Sequence, residues 1–321
     1  MAFRPWLRAA LTSSRNALVL RDWEYGRLLA RLGMLPWGLS ATQRGLKVDN
    51  LGIIIPRETP SLIFGLGDAL VLARSLGVKF SNTQEGIIAS SGKLRFRITS
   101  GEEFYILREI LSDGVYNFNV PQEDVVVWDI GMNAGFASLY FASREQVRAV
   151  VGFEPFKPTF ADAQCNMALN PELKPKITLR NFGIAAQGGA KDTEFDPEWK
   201  GSAGVNGICE RLHKKVHLSR ETLRVEHVQL LAADEVLQSI RSDYPGSPLV
   251  AKIDCEGSEY EIIRCLYEKR LLRELSALMI EWHDRGPQEL EAMLQASGFG
   301  TFSPGPASGQ LGMVYAWAQN Y

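Results

Sequence analysis

Cysteine is scarce in this chain of 321 residues, and the four present, Cys165, Cys209, Cys255 and Cys265, form no C-x-x-C pair. That argues against a disulfide framework or a zinc ribbon and fits a reducing, cytoplasmic setting. An excess of positive charge is also missing: 35 Lys and Arg stand against 37 Asp and Glu, a net charge of −2. The electrostatic footprint of a duplex-binding protein is therefore absent, and nucleic acid is not the expected partner. Long apolar runs are lacking too. The longest, residues 61–73, is broken by Gly65, Gly67 and Asp68 and falls short of the roughly 20 residues a bilayer span needs.

What remains is 45% hydrophobic and 22% charged residues, the composition of a folded globular chain with room for one large domain and an appendage. The first twenty residues carry Arg4, Arg8 and Arg15 with no acid before Asp22. With no secretory h-region they read as an amphipathic packing helix rather than a targeting segment. Residues 1–85 mix helical spacing with glycine and proline interruptions, which predicts a mostly helical extension without a chemical motif. Gly65 and Gly67 read as helix-packing glycines, since no strand leads into them.

From Gly86 the texture changes. GIIAS and KLRFRITS flank a turn and predict a hairpin, and Ser100 with Glu103 resembles a capping box opening a helix. We place the start of the main domain here, at 86–321. Beyond Pro121 five apolar strands, at 125–131, 149–156, 177–186, 248–257 and 276–283, alternate with helical segments. That rhythm predicts an α/β fold with a doubly wound, mostly parallel sheet. A turn and a last strand at 312–318 add an antiparallel edge, and residues 187–235 read as an inserted β hairpin over the carboxyl edge of the sheet, where such folds build substrate pockets.

The chemistry concentrates in VVVWDIGMNAGF, residues 125–136. A buried strand ends in Asp129, and Gly131, Asn133 and Gly135 lead into a helix whose first amides suit a carboxylate or phosphate. Glu154 ends the next strand, where an acid can accept bonds from ribose hydroxyls. A dinucleotide or S-adenosylmethionine (SAM) site follows. Asp129 would repel a pyrophosphate and attract the amino group of SAM, so SAM is the expected cofactor.

DIGMNAG, FEPF, KIDCEGSEYEII and MIEWH together resemble the FkbM-type family of SAM-dependent O-methyltransferases over about residues 93–318. Met132, Cys255 and Ser258 depart from the family's usual residues without removing a polar group. The resemblance implies a Rossmann-like class I methyltransferase fold and O-methylation of a small hydroxyl acceptor such as a sugar, glycolipid or polyketide. It also implies that Asp129, Gly131, Asn133 and Gly135 line the methionine part, that Glu154 holds the ribose, and that Asp254 lies near the reactive end of SAM. Phe182, after the third strand, is a candidate for adenine packing.

An alcohol must lose its proton as it is methylated. His283, which follows Glu281 at the end of the fifth strand, is the candidate general base, with Asp254 and Glu281 as further catalytic candidates. Asp254, Glu256, Glu281 and His283 permit a divalent metal but do not require one. Glu259 reads as a helix-start acid and Lys252 as a buried partner for a carboxylate. His213 and His217, with Arg211, Lys214 and Lys215, read as a solvated rim rather than a metal site. An N-methyltransferase, a non-catalytic SAM-fold scaffold and a dehydrogenase stay open as rival readings, and a homo-oligomer is compatible with the sequence.

Overall fold

The computed structural model describes residues 38–319 apart from 118–121, 198, 209–222 and 306–309, together with residues 16, 20, 25–27 and 29. The chain divides into two compact units, Met1–Ser112 and Asp113–Tyr321.

In the first unit, β1 (Leu39–Ala41), β2 (Gly45–Val48) and β3 (Ile53–Pro56) form an antiparallel sheet. Helix α1 (Leu66–Leu76) follows. A second antiparallel sheet joins β4 (Lys79–Thr83), β5 (Gly86–Ser91) and β6 (Leu94–Ile98), and α2 (Gly101–Arg108) comes next. The described part of the extension is thus richer in strand than the helical expectation. Its pattern is strand-like on close reading: Ile53 and Ile55 are fully buried while Ile54 and Pro56 are half-buried, a period of two. The expected boundary at residue 86 also moves, because β4 pairs with β5 across it and a cut there would split a sheet. Glu103 accepts the Ser100 amide at 3.2 Å, as a capping box requires. Gly65 packs the turn before α1 against α2: a Cβ there would lie 2.2 Å from the Gly101 carbonyl oxygen.

The second unit begins with β7 (Val125–Ile130), α3 (Phe136–Ala142), β8 (Val147–Phe153), α4 (Lys157–Leu169) and β9 (Ile177–Arg180). Then come β10 (Gly183–Ala185), β11 (Gly189–Phe195), β12 (Ala203–Gly204), β13 (Gly207–Ile208) and β14 (Arg224–Ala232). The unit ends with α5 (Ala233–Asp243), β15 (Leu249–Ile253), α6 (Glu259–Glu268), β16 (Ala277–His283), α7 (Gln288–Ala296), β17 (Phe299–Phe302) and β18 (Leu311–Ala318).

Seven of these strands form one sheet in the order β17-β18-β16-β15-β7-β8-β9. All neighbours from β16 to β9 run parallel, and β18 is antiparallel to both β16 and β17. This is a Rossmann-like α/β sheet with an antiparallel carboxyl-terminal edge. Every residue of β7 is buried, which is why its sequence is apolar without alternation. The order reverses between β7 and β15, so a crevice opens beyond the carboxyl ends of those two strands.

The run 177–186 is two strands rather than one. Asn181 donates from Nδ2 to the carbonyls of Glu154 at 2.9 Å and Pro155 at 3.1 Å, and the chain then leaves the main sheet. β10 pairs with β14, which also pairs antiparallel with β11, and this small sheet is the insertion. His213, His217, Arg211, Lys214 and Lys215 lie outside the described residues. His227 lies exposed on β14 with Nδ1 2.7 Å from Asp192. Among the described residues no helix is long and apolar enough to cross a membrane.

Candidate active site

The crevice is lined from three directions. The turn after β7 contributes Ile130, Gly131 and Asn133; the end of β8 contributes Phe153, Glu154 and Pro155; and the turn after β15 contributes Asp254, Cys255, Glu256 and Ser258. The insertion and its approach close it with Gly183, Ile184, Lys200 and residues 203–205.

Gly131 is the residue no side chain could replace. Its φ is +74°, and a Cβ would meet the Asp254 carbonyl oxygen at 1.8 Å, so the turns after β7 and β15 touch backbone to backbone. Gly135, at φ +79°, starts α3, and a Cβ there would press on Met167 at 3.0 Å. Met132 is accommodated because Gly152 faces it, where a Cβ would lie 2.6 Å from the Met132 sulfur.

The amides of this turn are engaged within the protein. Gly131 and Met132 donate to the Phe153 carbonyl at 3.1 and 3.0 Å, Asn133 to Glu154 Oε2 at 3.1 Å, Ala134 to Asn133 Oδ1 at 2.7 Å and Gly135 to the Met132 carbonyl at 2.9 Å. The turn from Gly131 to Gly135 is a saddle held by its own hydrogen bonds, and the helix α3 follows it.

Asp129 is relocated most clearly. It is 0% exposed, accepts from the Ser138 hydroxyl at 2.6 Å and lies 3.2 Å from Lys252 Nζ. It stands behind the saddle, paired within the protein, and is not one of the residues that line the crevice. Lys252 answers the sequence reading as a partner for carboxylates. Burial alone would lower its pKa, but Asp129 and Asp254 outweigh that and raise it.

Glu154 lines the crevice and is almost completely buried. Desolvation pushes its carboxyl up to about 7 against the lowering effect of hydrogen bonds from Phe156 and Asn133. Phe182 is half-buried against the main core instead of lining the crevice, whose apolar wall is Phe153, Ile184 and Val205.

The acids beyond β15 and β16 meet around His283. Asp254 is 27% exposed at its side chain and accepts the Tyr116 hydroxyl at 3.1 Å. Glu256 sits in the left-handed region at φ +51°, a conformation an acidic residue rarely adopts, and its Oε2 is 3.5 Å from His283 Nε2. Glu281 Oε1 lies 3.9 Å from the same nitrogen, while Glu259 Oε1 is 3.3 Å from Nδ1 and accepts the His283 amide at 2.8 Å. His283 is only 4% exposed and does not line the crevice. Burial would lower its pKa, yet Glu256, Glu259 and Glu281 raise it well above the ordinary value. Asp254, Glu256 and His283 have donor atoms within 4.8 Å of one another, close enough to share a divalent ion. Of the catalytic candidates, Asp254 faces the crevice while His283 and Glu281 stand behind Glu256.

The crevice therefore joins a glycine saddle, an acid at the end of the second strand of the sheet and a pair of acids at the end of the fourth. A family model for the methyltransferase FkbM domain matches residues 129–300, the segment that builds all three. The chain belongs to the FkbM methyltransferase family. It is a SAM-dependent methyltransferase, and among its relatives is the methyltransferase sdnD of Sordaria araneosa, 26% identical over 68% of this chain and 90% of that one. The hexuronic acid methyltransferase AglP of Haloferax volcanii is 27% identical over 59% of this chain and 70% of its own. The crystal structure of the methyltransferase FkbM from Methylobacillus flagellatus superposes with a TM-score of 0.39 at 14% identity, covering 67% of this chain and 50% of that one.

The residues present in this FkbM-family methyltransferase fit SAM. Gly131 and Asn133 present backbone without a bulky side chain to the crevice, Glu154 adds a carboxylate that can accept from hydroxyls, and Phe153, Ile184 and Val205 form an apolar wall. The sequence offers Glu256 beside Asp254 as a possible metal ligand and gives no sign of Tyr116, Asn181, Lys200 or Gly204. The D-x-E spacing after β15 was the available signal for Glu256; the others are brought in by tertiary contacts.

Proposed function

We propose that this methyltransferase is an O-methyltransferase acting on a hydroxyl of a small metabolite, of the sugar or polyketide class. The observation that carries the reading is the acidic wall of Asp254 and Glu256 in the same crevice as Gly131, Asn133 and Glu154. When bound, SAM supplies an already activated methyl group. The work left to the chain is to orient an oxygen and accept its proton. Glu154 holds the ribose, the saddle at Gly131 and Asn133 supports the methionine part, and Phe153, Ile184 and Val205 receive the adenine.

Asp254 and Glu256, as the acids that reach the crevice, orient the acceptor hydroxyl and take up its proton. His283 is placed behind them and fixes Glu256. The relative AglP is named for a hexuronic acid, which supports a sugar-type acceptor for this chain. Incubation with methyl-labelled SAM and a panel of uronic acids, neutral sugars, polyketide alcohols and amines tests the reading. A labelled methyl ether formed at a hydroxyl oxygen, reduced at least a hundredfold in Asp254→Asn, is the expected result. Label transferred only to amines would refute it.

A further inference from the structure

Lys252 is the only side chain among the described contacts that reaches both walls of the crevice from behind. It lies in β15 with its side chain 3% exposed. Its Nζ donates to the Gly131 carbonyl at 2.5 Å and reaches the Ile130 carbonyl at 3.5 Å. It also lies 3.2 Å from Asp129 Oδ1, 3.6 Å from Asp254 Oδ2 and 5.6 Å from the centre of the Tyr116 ring. One ammonium group thus meets the end of β7, the glycine turn that follows it and the acid that ends β15.

The backbone geometry makes this junction sensitive. Gly131 touches the Asp254 carbonyl so closely that no side chain fits between them, and Asp254 in turn donates its amide to the Ile130 carbonyl at 3.1 Å. The buried ammonium holds the Gly131 carbonyl on one side and the Asp254 carboxylate on the other, at a strength that water would not allow. A neutral residue at 252 would let the Gly131 carbonyl swing away and alter the spacing of the two walls.

We propose that Lys252 is a positioning residue of the SAM site: by gripping the Gly131 carbonyl together with Asp254, it sets the separation between the glycine saddle and the acidic wall. The proposal rests on SAM occupying this crevice. Its role differs from that of a simple counter-ion to Asp129, which would need the charge pair but not the grip on the turn.

Calorimetric titration of the intact chain with SAM, paired with thermal unfolding, separates the two roles. Lys252→Met leaves Asp129 buried and uncompensated, so both Tm and SAM affinity fall. Lys252→Met with Asp129→Asn removes both charges. This double variant is expected to regain most of the lost Tm while its SAM Kd stays at least tenfold above wild type. Asp129→Asn alone keeps the grip on Gly131 and is expected to change the SAM Kd less than threefold. Recovery of wild-type SAM affinity in the double variant, or a loss in Asp129→Asn as large as in Lys252→Met, would reduce Lys252 to a counter-ion and overturn the proposal. A wild-type chain that bound no SAM would overturn the cofactor assignment beneath it, a result distinct from either.

Discussion

The Asn133 amide donates to Glu154 Oε2 at 3.1 Å, and this bond ties the glycine saddle after β7 to the end of β8. Its second oxygen accepts the Phe156 amide at 3.0 Å. Glu154 therefore braces both the glycine turn, which we propose supports the methionine part of SAM, and the chain that starts α4. Glu154→Gln keeps the size but replaces one acceptor by a donor facing an amide. We expect SAM affinity to fall by roughly ten- to a hundredfold, about 1.4–2.7 kcal/mol. Titration calorimetry checks this, and an unchanged affinity would remove Glu154 from the site.

The same carboxyl gives a pH dependence. Burial raises its pKa in the folded chain to about 7 from 4.5. The folded state thus holds a proton that the unfolded chain releases, and stability falls as pH rises from about 4.5 to about 7, by at most about 3 kcal/mol from this group. Ribose hydroxyls donate best to the ionised form, so SAM binding moves the other way and tightens as pH rises through 7. Tm measured from pH 5 to 8 should fall with a slope that Glu154→Gln flattens. The SAM Kd should improve over the same range in wild type alone.

How much of this was legible in the sequence depends on whether the signal was local. The run Val125–Ile130 and the glycines after it announce a buried strand and a tight turn, because burial on both faces and positive φ each leave a mark on residue type. Partners do not. Asp129 read as a ligand-facing acid because nothing nearby in sequence shows that Lys252, 123 positions on, neutralises it. His283 read as a base for the same reason: the acids that enclose it arrive from the turn after β15 and from the first turn of α6. The strands of residues 39–83 were missed because they are short, three to five residues each, and two glycine-containing turns mask their alternation.

Glu259 is a second brace whose loss is measurable. It is fully buried, its Oε1 accepts the His283 amide at 2.8 Å and its Oε2 accepts the Gly257 amide at 2.8 Å, so it joins the end of β16 to the turn after β15. Glu259→Gln turns an amide group toward one of those donors and leaves it unsatisfied, at a cost of about 1–3 kcal/mol. A Tm several degrees lower is expected, by differential scanning calorimetry. Glu259→Ala should cost more, since both donors then lose their acceptor. A Tm unchanged in either variant would show that the two amides find other partners.

Gly204 tests whether the insertion is a working wall of the crevice. A Cβ there would lie 2.7 Å from the Glu256 carbonyl oxygen, 2.9 Å from the Glu256 Cβ and 3.0 Å from the Cys255 carbonyl oxygen. Two of these three atoms are backbone atoms of the acidic turn, which the Gly131 contact already holds, so they cannot retreat cheaply. In Gly204→Ala the segment Ala203–Gly204 must move away from the turn instead, opening the crevice on the side lined by Lys200 and Val205. The main sheet lies outside this contact, so Tm should drop by only a few degrees, while SAM affinity should weaken by about tenfold, near 1.4 kcal/mol. Gly207→Ala, in the same hairpin but with open space around its Cβ, serves as the control for backbone strain, since its φ of +103° penalises any side chain. A larger SAM effect at Gly204 than at Gly207 would place the insertion in the cofactor site. Equal effects would mean that the hairpin's own fold, and not its contact with Glu256, is what the substitution disturbs.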